Sequence, residues 1–303
     1  MKKYQIKPTR QFVIPNDALS QLLFNGKFSV DAGKTVEEKI TVSGRKKIYD
    51  TAKITNTAKY RITLNEFDRA VFDAVVSELT AGNEYFTPSV VYRNLGGSVT
   101  HSVSKHLKKK ILESLEKLNF LRITLDLSES AKKTRYDVAS VGSDGRAMLV
   151  VPEKIIFNGA ETTAMKICSS ILLDVAAMRK QILHLKMENL KIPILHTERA
   201  IVIEHYISRR VAEISGSLSS ANRGKNNQKL QPIILFDELF ERCGFQNLSR
   251  CDKQRIREIS AQILDDLVAK TRIFSWKFGF AEKGEIRSIN LDLTPPQKCE
   301  AVK

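Results

Sequence analysis

The chain has 303 residues, with 49 Lys and Arg against 34 Asp and Glu, a formal net charge of +15. That length exceeds the usual single core and points to two domains. The charge points to a polyanionic partner, nucleic acid being the commonest, with ribosomal contact, an acidic protein or a charged membrane surface as the alternatives. Asp174 interrupts the most apolar run, ICSSILLDVAAM, so no run nears the ~18 residues of a membrane span. MKKYQIKPTRQF is followed by no hydrophobic region and does not read as a secretory signal, so a cytoplasmic protein is expected. Cys168, Cys243, Cys251 and Cys299 are scattered without CxxC spacing, which argues against a disulfide set or a zinc site.

In chain order, residues 1–59 read as an arm and a hairpin. The first 34 residues mix short apolar clusters with Asn, Asp and Gly and predict irregular or partly helical structure. VEEKITVSGRKKIYDTAKI alternates on both sides of Ser43-Gly44, which predicts a hairpin whose turn carries Arg45, Lys46 and Lys47. Residues 60–151 follow as a first domain. Thr63, with Glu66 three residues on, is the expected cap of a helix carrying Phe67, Val71, Phe72, Val75 and Leu79 and ending at Gly82. Tyr85-Phe86 is a short apolar run, and Thr87-Pro88 opens a second helix that Gly96-Gly97 closes. The third helix lies in SVTHSVSKHLKKKILESLEKLNFLRITLDL, where Val103, Leu107, Ile111, Leu115 and Leu118 form one stripe. His101, Ser102, Lys105, Lys108 and Lys109 then face outward. From Leu121 to Leu127 the period becomes two, a strand with one buried face. SESAKKTRYDVASV, with Lys132, Lys133 and Arg135, reads as a basic turn and a return strand. Helix, short strand, helix, helix, strand, strand is the order of a winged helix-turn-helix, whose third helix enters the major groove.

Residues 152–196 read as a structured connector: two apolar segments around Asn158-Gly159, a tight-turn dipeptide, and then a helix within LLDVAAMRKQILHL. Residues 197–294 repeat the earlier order. Thr197 caps a helix with Ile201, Ile203, Ile207, Val211 and Ile214, and the polar stretch Ser215 to Lys229 reads as a flexible loop. Pro232 opens a helix through Phe236, Leu239 and Phe240, capped by Gly244. A third helix near Asp252 carries Ile256, Ile259, Ile263 and Leu267, with Lys253, Arg255 and Arg257 in its first turns. Ile273 to Phe278 and Ile286 to Leu293 are the closing strands, and residues 295–303 read as a disordered tail. The fold class expected is therefore α+β: two winged helices, a connector, and an amino-terminal arm with a hairpin.

Each candidate has a bland alternative. A lysine run such as Lys105, Lys108, Lys109 and Lys110 is often only a solvated helix face, but here it lies on the helix the topology presents, and a basic cluster recurs in the second domain. Arg255 and Arg257 cannot share one face fully, so one is expected to reach bases while the other clamps phosphate. Asn247 and Ser249 precede that helix and either bond phosphate or cap it, and Arg250 beside them is a candidate DNA contact. Alternation places at least two of Phe274, Trp276 and Phe278 in the core rather than stacked on bases. No GxxxxGK[ST] loop is present, Gly224-Lys225 having the wrong spacing. His205 with Arg209, Arg210 and Tyr206 lacks the spacing of a recombinase site, and Asp265-Asp266 diverge on a helix rather than form a metal site. The expectation is a protein without catalysis, cofactor or metal.

Two successive winged helices with basic third helices resemble the tandem winged-helix replication initiators of plasmids. LVVPEKIIFNGAETTAMKI with AAMRKQ is similar to the interdomain segment of initiator-like proteins of Gram-positive bacteria and their mobile elements, and ILFDELFERCGF with KQRIREISAQILDDLVAKTRIFSWKF resembles their helix, turn, basic helix and wing. The resemblance spans about Tyr60 to Leu293. It implies binding of duplex DNA at direct repeats (iterons) of an origin, self-association as a monomer or dimer, and host helicase or polymerase components as partners. It also implies Lys253, Arg255 and Arg257 toward the groove and Lys277, Lys283 and Arg287 on the wing. The stretch Ser215 to Lys229 and the amino-terminal hairpin depart from that pattern. A transcriptional regulator is the alternative within the class, and a protein–protein adaptor that binds no DNA is the alternative outside it.

Overall fold

The computed structural model describes residues 2–43, 48–97, 102–132, 136–142, 144–157, 159–192, 197–221, 230–281 and 284–293. Arg45, Lys46 and Lys47, His101, Lys133, Arg135, Asn158, Lys283, residues 222–229 and the tail 295–303 lie outside them. The chain is mixed α+β and divides into two units, Met1–Lys191 and Ile192–Lys303.

Unit 1 runs β1 (Lys3–Tyr4), β2 (Gln11–Pro15), α1 (Ala18–Leu23), β3 (Ser29–Val30), β4 (Thr35–Ser43), β5 (Ile48–Asn56), β6 (Ile62–Thr63), α2 (Glu66–Thr80), β7 (Tyr85–Phe86), α3 (Pro88–Asn94) and α4 (Lys105–Phe120). It continues with β8 (Leu121–Asp126), α5 (Ser128–Ala131), a 3-10 turn at Val138–Ser140, β9 (Asp144–Arg146), β10 (Leu149–Phe157), β11 (Ala160–Ser169), α6 (Ile171–Met178), β12 (Ile182–Lys186) and a 3-10 turn at Met187–Leu190. The amino-terminal arm, expected to be irregular or partly helical, contains the helix α1 and is otherwise paired: β1 runs parallel to β10 and β2 antiparallel to β12. Glu78 and Asn83 hold it to α2, since Thr9 Oγ1 donates to Glu78 Oε1 (2.7 Å) and Lys7 N–H to Asn83 Oδ1 (2.8 Å). Gln181 to Leu185, expected within a helix, belongs largely to β12, because α6 ends at Met178 and Lys180 takes a left-handed φ of 56°.

The cap of α2 is Asn65, not Thr63. Thr63 is committed to β6, opposite Ser29, and Asn65 Oδ1 accepts from Asp68 N–H while Asp68 Oδ2 accepts from Asn65 N–H, a reciprocal box that leaves Glu66 out. Asp68 also accepts from Ser114 Oγ (2.7 Å) and Lys117 Nζ (3.0 Å), which locks α4 onto α2. Leu107, Ile111, Leu115 and Leu118 of α4 are buried, contributing roughly 1.5–3 kcal/mol each.

Among the described residues of 128–141 there is no return strand. That segment is helical at α5 and at the 3-10 turn, and the strand antiparallel to β8 is β9. β8 pairs on its other edge with β5, so the amino-terminal hairpin and β8–β9 make one sheet of order β4-β5-β8-β9. Asp50 of β5 fixes it by accepting from Ser130 N–H (2.9 Å), the Ser130 hydroxyl and Arg179 Nη2 (2.6 Å). The hairpin β10–β11, expected in a connector, carries β7 on its second strand, in the order β1-β10-β11-β7. Gly159, with φ of +87°, supplies the turn between Phe157 and Ala160, where a side chain would strain the backbone.

Unit 2 comprises α7 (Glu198–Ala221), β13 (Ile233–Leu235), α8 (Phe236–Arg242), α9 (Arg250–Ala269), β14 (Ser275–Phe280) and β15 (Ile286–Asp292). Thr197 Oγ1 accepts from Ala200 N–H (3.2 Å) at the start of α7. Two elements differ from expectation. The helix persists from Ser215 to Ala221, where a loop was expected, and Ile233–Leu235 is a strand rather than the first turn of a helix. β13 lies beside β15 in the order β13-β15-β14, so in both units the strand after the first helix pairs with the second strand of the closing hairpin.

Candidate nucleic-acid interface

The third helix of unit 2 forms because Ile256, Ser260, Ile263, Leu264 and Leu267 recur at three- and four-residue spacing and are buried. Ser249 caps it: the hydroxyl oxygen accepts from Asp252 N–H (3.1 Å) and the hydroxyl donates to Asp252 Oδ2 (2.7 Å). Arg199 Nη1 donates to the same carboxylate at 2.9 Å. The hydrogen bond from Ser249 first, and then Arg199, hold the Asp252 carboxyl below the usual carboxylate range. Asn247, just upstream, sits at φ 53°. Asn tolerates that left-handed turn better than most residues, which accounts for it without a ligand.

The basic residues of α9 divide by direction. Arg250 and Arg255 are exposed, whereas Lys253 and Arg257 are half-buried. Arg257 Nη2 donates to the Ile286 carbonyl (3.0 Å) and its guanidinium lies 5.7 Å from the centre of the Phe236 ring. It therefore braces the helix against β15 and α8 instead of reaching the groove, contrary to the expectation that placed it with Arg255. Arg250, Cys251, Asp252, Gln254, Arg255, Arg257 and Glu258 line a concavity of about 640 Å³ on this helix. Gln254 and Glu258 are members of that strip that a search for basic residues passes over; their four-residue spacing was the signal.

The hairpin beside α9 presents two faces. Trp276 and Phe278 pack edge to face at 4.9 Å on the inner one, and Trp276 Nε1 donates to Asp265 of α9 at 2.9 Å. Phe274, read with them, is 69% exposed, although its N–H donates to the Asp292 carbonyl at 2.7 Å. Lys277 alternates onto the opposite face, with Asn290 as its neighbour, and is exposed. Arg287 is exposed at the register shift between Gly279 and Phe280.

In unit 1, Ser104 caps α4 by accepting from Leu107 N–H (3.2 Å). Ser102 is exposed ahead of it, and Lys105, Lys108 and Lys109 are exposed in its first turns, Lys109 with Glu113 at 3.6 Å. No carboxylate stands in the first turn of α4. Lys132 is exposed at the end of α5 and ion-paired with Glu129, so of the basic turn expected as a wing only this residue is described, and it belongs to the segment inserted between α4 and the β10–β11 hairpin.

His205, Tyr206 and Arg209 are buried in α7, with Arg209 Nη1 on Glu213 Oε1 at 2.7 Å, and burial pushes the Tyr206 phenol up. Glu204, buried beside them, has its carboxyl pushed well up by burial, an effect that Lys270 opposes. Among the described residues no group of three or more His, Cys, Asp and Glu is placed to hold a metal ion, and no helix is long and apolar enough to cross a membrane.

No family model matches the chain, and no curated protein matches it. Among solved structures, the chain is similar to a crystal structure of domains 2 and 3 of RctB determined on selenomethionine derivatives, with 9% identity and a TM-score of 0.40 over 91% of this chain and 96% of that one. A second crystal structure of RctB domains 2–3 gives 12% identity and a TM-score of 0.41 over the same shares. The likeness is one of fold, and coarse.

Proposed function

We propose that the chain is a duplex-DNA-binding protein in which each unit is a winged helix, with α4 and α9 as the helices laid against the major groove. Its role is at a repeated site, where two such units in one chain nucleate replication of a plasmid or mobile element. The order helix, strand, helix, helix, hairpin in unit 2 supports the winged-helix assignment, and unit 1 has the same order with β8, α5 and β9 inserted between α4 and the hairpin. In unit 1 the hairpin that takes the wing position is β10–β11.

One observation carries the DNA reading. Lys105, Lys108 and Lys109 in α4, and Arg250 and Arg255 in α9, stand exposed in the first two turns of their helices. A cation at a helix amino terminus opposes the macrodipole and costs about 0.3–1 kcal/mol. That cost falls on Lys105 and Arg250, which stand in the first turn, so fold stability gives no reason to place these two there, whereas a phosphate backbone does, since side-chain charge and free backbone N–H groups act on it together. In α4 the carboxylates Glu113 and Glu116 come later, whereas in α9 Asp252 stands in the first turn, bonded to Ser249 and Arg199, and Glu258 and Asp265 come later.

The test is retention of duplexes cut from the DNA flanking the gene. Preferential retention of segments with direct repeats is expected, with the same segment in scrambled order held more weakly. Equal retention of both would remove the site-specific role, and retention of no duplex at low salt would favour a protein partner.

A further inference from the structure

Duplex binding by α9 requires particular side chains to read sequence, and the helix geometry selects them. With Ile256, Ser260, Ile263 and Leu267 facing inward, a 3.6-residue period points Cys251, Gln254, Arg255 and Glu258 outward. All four are exposed, while Lys253 and Arg257 fall on the flanks. The remaining carboxylates of the helix are engaged: Asp252 by Ser249 and Arg199, Asp265 by Trp276, and Asp266 by Lys270. What the strip offers a partner is therefore set by Gln254, Arg255 and Glu258.

The Gln254 amide has two N–H donors and one carbonyl acceptor. Its Nε2 donates one N–H to Glu258 Oε1 at 3.0 Å, which fixes the rotation of the amide. One donor and one acceptor remain, and that pair matches N7 and the N6 amino group of adenine on the major-groove edge. Arg255 makes no ion pair among the described residues, so its planar fork is available to O6 and N7 of guanine. We infer that α9 reads an adenine with Gln254 and a guanine with Arg255 within one half-site, with Glu258 as the positioning residue for the amide. The inference rests on the proposed duplex binding.

The experiment exposes the full chain to a pool of duplexes with about 20 randomised base pairs, roughly two helical turns, and sequences what is retained. Duplexes with single-base changes in the selected motif are then titrated at fixed salt against the parent chain, Gln254→Ala, Arg255→Ala and Glu258→Ala. The parent is expected to select a motif with a fixed adenine and a fixed guanine. Gln254→Ala should lose the adenine preference by about 5- to 150-fold with other positions kept, and with the salt dependence unchanged because no charge is removed. Glu258→Ala should weaken that same base preference and no other, with affinity for every duplex raised because a carboxylate is removed, and Arg255→Ala should lose the guanine. A parent that binds duplex without a motif, or variants that keep every preference or lose affinity uniformly, would overturn the assignment while leaving duplex binding intact. A parent that retains no duplex would overturn both.

Discussion

Reversing the charge of Lys105 separates service to the fold from service to a polyanion. Lys105 is the first residue of α4, exposed, directly after the Ser104 cap, in a first turn without a carboxylate. Replacing it by Glu removes an unfavourable charge and adds a favourable one, each about 0.3–1 kcal/mol. The new carboxylate stands four residues before Lys109, in the better orientation of that pair, for about 0.2–0.5 kcal/mol more. Roughly 1–2 kcal/mol in a unit of this size raises Tm by about 2–8 °C. Calorimetry of the full chain should show the higher transition, and duplex titration should show weaker binding with a salt slope shallower by about one unit. A lower melting temperature with unchanged binding would mean that Lys105 supports the fold, and would refute the reasoning.

Two further outcomes follow from buried charge. Asp50 and Arg179 form an ion pair with both side chains almost fully buried, so Asp50→Ala strands a guanidinium and should cost about 3–5 kcal/mol. The double replacement by Leu should recover most of it, and melting of both variants checks the pair. Glu204 carries a carboxyl whose pKa is raised in the folded state. Such a group contributes its stability fully below the unfolded value, and that contribution is lost as pH rises through the folded value. Glu204→Gln is thus expected to be more stable than the parent at neutral pH and equal to it below about pH 4; a difference independent of pH would contradict this.

Features with a local cause were legible in the residues. The stripes of α4 and α9 follow from 3.6-residue spacing, the β10–β11 hairpin from its apolar segments around a tight-turn dipeptide, and the three helices and closing hairpin of unit 2, though not β13, from its alternation of period. What was not legible is nonlocal. The residues after Leu127 alternate weakly, and nothing in them says that β8 seeks β5 from the amino-terminal hairpin or that β7 seeks β11. The inserted sheet and the role of the supposed connector emerge only from pairing across more than 60 positions. Arg257 shows the same limit within the candidate site. Its charge matched that of Arg255, but 100° of helical rotation per residue turned it onto the Ile286 carbonyl. Ser249 was open between cap and phosphate ligand, and its reciprocal bonds with Asp252 make it a cap.

The slope of log affinity against log salt for the full chain on duplex DNA tests the central claim most directly. The account predicts a steep fall for the parent chain, and a slope shallower by about 2.7 units when Lys105, Lys108 and Arg250 are replaced together by Ala, near 0.9 for each phosphate no longer neutralised. An identical slope in parent and variant, or no duplex held at low salt, would contradict it.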